Sequence, residues 1–202
     1  MSDVKEIPAK LVAELRARTG AGMMDCKRAL EETGGDLDKA GEVLRKKSIV
    51  KADKRATREA AEGLIESYVH FNGRVAVLVE LNCETDFVAR TDAFRRLAKD
   101  LSLHIASQAP LAVRIEDVPA EVIDSERRIY EAQVAEQQKP EPIRAKIVEG
   151  MLRKFYEERV LFEQKFVKDE TRTCGDLVRE LAAQTGENVR VRRFARFELG
   201  GD

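Results

Sequence analysis

The apolar positions of this chain fall into segments of different period, and one apolar pair belongs to none of them. Leu64 to Leu81 reads as two strands joined at Asn72-Gly73, a dipeptide whose readiness to take positive φ at both central positions predicts a tight type I′ turn. Past residue 91, Phe94, Leu97, Ala98, Leu101 and Ile105 recur at the spacing that lines one helical face, with Thr91 or Asp92 as the N-cap. Between them runs Glu80 to Arg90, Glu-Leu-Asn-Cys-Glu-Thr-Asp-Phe-Val-Ala-Arg, where neither period accounts for Phe87 and Val88. Two readings stand open. Either Phe87 packs back under the helix start as a staple while Thr85 and Asp86 cap a turn, or it is an exposed apolar tip beside a carboxylate, suited to entering a partner.

The first 50 residues read as three short helices. One begins near Pro8 with Ile7, Leu11 and Leu15 and ends at Thr19-Gly20-Ala21-Gly22. A second spans Met23 to Glu32, with Cys26, Ala29 and Leu30 on one side, and Thr33-Gly34-Gly35 stops it. Asp36 caps a third carrying Leu37, Ala40, Val43 and Leu44. Met23 and Met24 are adjacent, so one helical face cannot bury both well; either one is exposed as an adaptable contact residue or both reach the small core at the helix entrance.

A linker, 51–60, lies within a basic run of Arg45, Lys46, Lys47, Lys51, Lys54, Arg55 and Arg58, with Asp53 the only acid among them. A solvated helical connector explains it better than a nucleic-acid site. The remainder, 61–202, continues after the hairpin and helix with Leu111 to Ile115, too short to type. A helix from Pro119 to about Gln138 follows, and a second after Pro140 and Pro142 carries Ile143, Ile147, Met151, Leu152 and Phe155. That pair reads as a helical hairpin. Val160 to Val167 looks like a strand or extended segment, and Thr173 caps a helix with Leu177, Leu181 and Ala182 inward. In the last strand Val189, Val191, Ala195, Phe197 and Leu199 share one face with Arg193 the exception, and Arg190, Arg192 and Arg196 take the other. Strands at both ends with helices between them argue for an α+β domain on a small, mostly antiparallel sheet.

Composition narrows the function. With 36 basic against 37 acidic residues, a net charge of -1, 5% aromatics and no Trp, the chain lacks the basic excess of a polyanion binder and the stacking surface of a single-strand binder. No apolar run of about 18 residues occurs, and Asp3, Lys5 and Glu6 stand where a signal peptide needs an apolar core, which predicts a cytoplasmic protein. Cys26, Cys83 and Cys174 form no C-x-x-C pair, which fits a reducing compartment better than a disulfide framework or a zinc site. There is no phosphate-loop motif. Gly20-Ala21-Gly22 lacks the third glycine of a dinucleotide site. His70 and His104 are too few for a His-rich metal site, and no nucleophile and base are paired by spacing, so neither an enzyme nor a cofactor is expected.

Three separated blocks carry a resemblance. Glu80 to Arg90 resembles the Thr-Asp-Phe-Val signature of the elongation factor Ts family, Leu15 to Leu30 resembles its amino-terminal signature, and Gly186-Glu187-Asn188-Val189-Arg190-Val191-Arg192-Arg193-Phe194 resembles its last core strand. The resemblance implies a guanine nucleotide exchange factor that frees GDP from elongation factor Tu. It implies a ubiquitin-associated (UBA-like) three-helix domain over 1–50 that touches the GTPase through Arg16, Met23 and Met24, and an α+β core and dimerisation domain over 61–202. Within the core, Phe87 would enter between helices of the GTPase domain, Asp86 would disturb its Mg²⁺ side, and Thr85 and Val88 would hold the turn. Longer members of the family carry two α+β subdomains; this chain has room for one, so the resemblance is to the short form and implies a homodimer. A reading from another class is a protein-interaction adaptor built on the three-helix domain.

Overall fold

The structure is a computed structural model that describes residues 7–55, 57–136 and 140–201, the side chains of 48–55 excepted. The expected helix end near Gln138 and the side chains of Lys51, Asp53, Lys54 and Arg55 lie outside the described residues. Three helices open the chain: α1 (Ala9–Thr19), α2 (Met23–Glu32) and α3 (Leu37–Arg55). Gly20 ends α1 in the left-handed conformation, and the Asp36 carboxylate accepts from the Asp38 and Lys39 amides at the start of α3. Val12, Leu15, Cys26, Ala29, Leu30, Ala40 and Leu44 form a small core of their own.

The rest of the chain is an α+β unit. Strands β1 (Glu62–Val69), β2 (Val75–Cys83) and β5 (Arg190–Glu198) form an antiparallel sheet in the order β1-β2-β5. Helices α5 (Asp92–Gln108) and α8 (Cys174–Thr185) cover one face of it, burying Val77, Val79, Leu81, Phe94, Leu101, Ile105 and Val178 in one cluster. The opposite face is open: Ile65, Leu78 and Phe197 stand exposed on it. Helices α6 (Ala120–Ala135) and α7 (Glu141–Arg159) pair as the expected hairpin around Val134, Val148 and Leu152. A short strand pair, β3 (Lys165–Phe166) and β4 (Asp169–Thr173), leads into α8, whose N-terminus is closed by a reciprocal Thr173–Asp176 capping box.

Three expectations are corrected. The hairpin turn is not a two-residue type I′ turn: residues 70–74 connect the strands, the Gly73 amide donates to the His70 carbonyl at 2.8 Å, and Gly73 alone takes positive φ, at 68°. A turn over Phe71-Asn72 followed by a left-handed glycine needs no positive φ at Asn72. Val160 to Val167 is mostly turn, holding a single bridge from Val160 to Ala112 and the two residues of β3. In β5 a bulge opposite Glu80 and Leu81 shifts the register, and a one-residue shift reverses the faces. Val191 is inward before it; after it Phe194 packs on the core and the Arg196 guanidinium donates to the Ala106 carbonyl, while Ala195, Phe197 and Leu199 turn outward. The bulge also lets neighbouring Arg193 and Arg192 both reach the Glu80 carboxylate, at 2.8 and 2.9 Å, which holds that carboxyl below its ordinary range.

The helical unit rests on the core through α3 and α8. Arg45 reaches Asp176 at 3.3 Å and Glu180 at 3.6 Å, so α8 carries the sheet on one side and the amino-terminal helices on another.

Candidate functional site

Strand β2 is central and apolar, and at Cys83 it leaves the sheet. Cys83 is fully buried beside Thr85: its thiol donates to the Thr85 carbonyl at 3.1 Å, and burial pushes it up to about 11, so it is no thiolate nucleophile at neutral pH. Thr85 is extended and leads into a single helical turn, α4 (Asp86–Ala89). Its hydroxyl does not cap that turn, because it donates instead to Glu187 Oε1 at 2.6 Å. The far end is closed by Thr91, whose hydroxyl donates to the Val88 carbonyl at 2.8 Å and accepts the Phe94 amide that opens α5.

Successive residues on a helix point about 100° apart, so a turn that sets Val88 and Ala89 against the core directs Phe87 away from it. Ala89 is buried and Val88 packs against the main core; Phe87 projects outward and is 79% exposed. Of the two open readings, the packed staple is therefore excluded and the exposed tip is what the chain forms. Asp86 stands beside it, paired with Arg90 at 2.8 Å across one turn. The turn packs on β1, β2 and α5, so the phenyl ring stands on a fixed base.

The base owes its order to a residue the sequence reading missed. Glu187 follows the left-handed Gly186 (φ 75°) that ends α8, and its Oε2 accepts the Glu84 and Thr85 amides, each at 3.0 Å. In return the Glu84 carboxylate accepts the Asn188 amide at 2.6 Å, and the Asn188 side chain donates to the Arg58 carbonyl at 2.7 Å. The sequence offered Glu187 only as the start of a strand block; a carboxylate just after a helix-ending glycine has no local mark of a partner 102 residues away.

The other expected residues sit on a different element. Met23 and Met24 open α2 and are 54% and 63% exposed, so both, not one, lie outside the small core; Arg16 is exposed on α1. All three are exposed on helices of the amino-terminal unit, on elements other than α4. In the basic run Arg45 pairs with α8, Lys47 with Glu32 and Arg58 with Glu84. Among the described residues no group of three His, Cys, Asp or Glu side chains could hold a metal, and no helix is long and apolar enough to cross a membrane. The arrangement is equipped to make contact: it presents a rigidly mounted aromatic ring next to a carboxylate.

A family model described as elongation factor TS matches residues 38–201. The elongation factor Ts of Thermosipho melanesiensis is 56% identical over 194 residues, covering 96% of this chain and 99% of that protein. That of Thermotoga maritima is 56% identical over 195 residues, with 96% and 97% covered, and that of an Anaeromyxobacter species 53% identical over 195 residues, with 96% and 89% covered.

Proposed function

The chain belongs to the elongation factor Ts family of translation elongation factors, and from that we propose that it is a guanine nucleotide exchange factor, working in the cytoplasm, that binds elongation factor Tu in its GDP form and drives GDP out. The observation that carries the reading is Phe87: a large apolar ring, 79% exposed, on a turn clasped at both ends. Mobile tips accommodate a partner; a rigid one displaces it.

A GTPase that holds GDP at nanomolar affinity has about 12 kcal/mol of binding free energy, so release without help is slow. Much of that grip passes through Mg²⁺, which demands near-octahedral oxygen ligands, and through the amides of the phosphate loop. Packed helices shift between discrete arrangements, so a ring forced between two of them alters the site in a step. Phe87 is the wedge in this account, Asp86 faces the Mg²⁺ side, and Thr85 and Val88 keep the turn in shape. Arg16, Met23 and Met24 of the UBA-like domain, 1–50, dock on the GTPase, and the core, 61–202, follows the linker 51–60. The protein makes and breaks no covalent bond, so it speeds exchange in both directions and leaves the GDP/GTP equilibrium alone.

The open sheet face supports a homodimer. Val69, Phe71, Leu78, Phe197 and Leu199 are exposed apolar residues on it or at its end, and a second copy turned about a two-fold axis offers the same surface in return. Dissociation of a fluorescent GDP analogue from elongation factor Tu, chased with excess GDP, tests the exchange reading. Release quickened by orders of magnitude at catalytic amounts of this protein is the expected result, and release unchanged at any concentration refutes it.

A further inference from the structure

Glu187 touches the wedge turn at more points than any covalent neighbour requires, and all of them are at its root. One oxygen takes both amides that precede α4, Glu84 and Thr85 at 3.0 Å each, and the other takes the Thr85 hydroxyl at 2.6 Å. A carboxylate can fill this place because both its oxygens accept, and charge strengthens each bond. The clasp is reciprocal, since the Glu84 carboxylate holds the Asn188 amide at 2.6 Å. Its far side is anchored: Gly186 turns the chain out of α8, and Asn188 and Val189 are buried.

The turn is seated by its packing on β1, β2 and α5, and Glu187 holds its leading end. It is four residues long, its N-cap side chain makes no capping bond, and its outward pair, Asp86 and Phe87, have no partner beyond Arg90 in the hydrogen bonds and ion pairs of the described residues. Two backbone amides held on one oxygen fix the leading end of α4 against the end of β2, next to Phe87.

We propose that Glu187 is the positioning residue of the exchange site: it aims Phe87 from the α8–β5 connection, and the maximal exchange rate depends on it although it never meets the nucleotide. This assignment rests on the exchange reading above. A Glu187→Gln side chain can keep its oxygen on the two amides and turn its amide toward the Thr85 hydroxyl, which then accepts; Glu187→Ala leaves all three donors without a partner.

Two readouts on the folded, full-length protein test it. In hydrogen exchange, Glu187→Ala opens the amides of Glu84 and Thr85 while the paired amides of β2 and β5 keep their protection. In the release of a fluorescent GDP analogue from elongation factor Tu, the same variant lowers the maximal rate about tenfold with the half-saturating concentration within about twofold, and Glu187→Gln restores most of the loss. If Glu187→Ala does not fold, Thr85→Val, which removes the 2.6 Å contact and leaves both amides on the carboxylate, lowers the maximal rate by a smaller factor with half-saturation unchanged. A wild-type maximal rate in a Thr85→Val protein whose two amides have lost protection overturns the assignment. The assignment is overturned if Glu187→Ala opens both amides and still reaches the wild-type maximal rate, or if the amides keep their protection. A wild-type protein that does not accelerate release is a different failure, which removes the exchange reading and this assignment with it.

Discussion

Replacing Phe87 by Ala separates docking from exchange, and the structure sets the scale of the effect. The ring is 79% exposed in the free protein, so the substitution touches almost nothing in the fold, and Ala suits a helical turn better than Phe. Stability changes by less than about 0.5 kcal/mol. A phenylalanine buries about 150–250 Å² when enclosed, and most of that area is available here; at about 25 cal/mol per Å² full enclosure contributes close to 4 kcal/mol, of which truncation forfeits about 3. If the ring enters its partner chiefly in the state that releases GDP, that loss falls on the maximal exchange rate and amounts to about a hundredfold. The affinity for the GDP-bound GTPase, carried by the amino-terminal helices and the rest of the core, changes severalfold at most. Stopped-flow GDP release over a range of concentrations yields both numbers. A maximal rate equal to wild type with weakened half-saturation contradicts the reasoning, because Phe87 then acts as an ordinary contact.

Gly63 lies in β1 with φ of 144°, and a Cβ there would stand 2.1 Å from the Leu81 carbonyl oxygen, so Gly63→Ala must push β1 from β2 and lose at least about 3 kcal/mol in urea unfolding; a loss under about 1 kcal/mol refutes that close approach. His104 is buried, its Nδ1 accepts the Val167 amide and its Nε2 meets Gln164, and burial holds its pKa below the ordinary 6.5. The unfolded chain therefore binds the proton first: stability is complete above about pH 6.5 and falls below it by up to about 1.4 kcal/mol per pH unit. Urea midpoints at pH 8 and 5.5 should show this, and the pH difference should shrink in His104→Gln; equal midpoints in the wild type contradict it. Phe197→Glu puts a charge on the open sheet face, once from each protomer, and should turn a sedimenting dimer into monomers with the fold intact; a wild-type monomer at micromolar concentration removes the dimer reading.

What could be read from the sequence was local. Pro8, Gly20, Asp36, Thr91 and Thr173 each mark a helix end within a few residues, and the structure has helix boundaries at all of them. The α+β class followed from the order of those segments. The bulge in β5 was not legible, since an extra residue is defined by the strand opposite and leaves the hydrophobic pattern ambiguous; Phe197 and Arg196 exchanged faces for that reason. Phe87 was located but not oriented, because α4 is too short to have a period. Glu187 was invisible as a partner of Thr85, because their contact spans the whole sheet and helix layer between them in sequence.

An exchange factor acts by holding its GTPase without nucleotide, and linkage makes that directly measurable for this protein and elongation factor Tu. Whatever factor the protein takes from GDP affinity, GDP takes from the affinity for the protein. Calorimetric titration of the protein into nucleotide-free and into GDP-saturated elongation factor Tu measures that factor from the protein's side. Binding to the nucleotide-free form should be tighter by at least about a hundredfold, on the order of 3 kcal/mol. Equal affinities would contradict it, since a ligand that does not distinguish two states cannot shift one into the other.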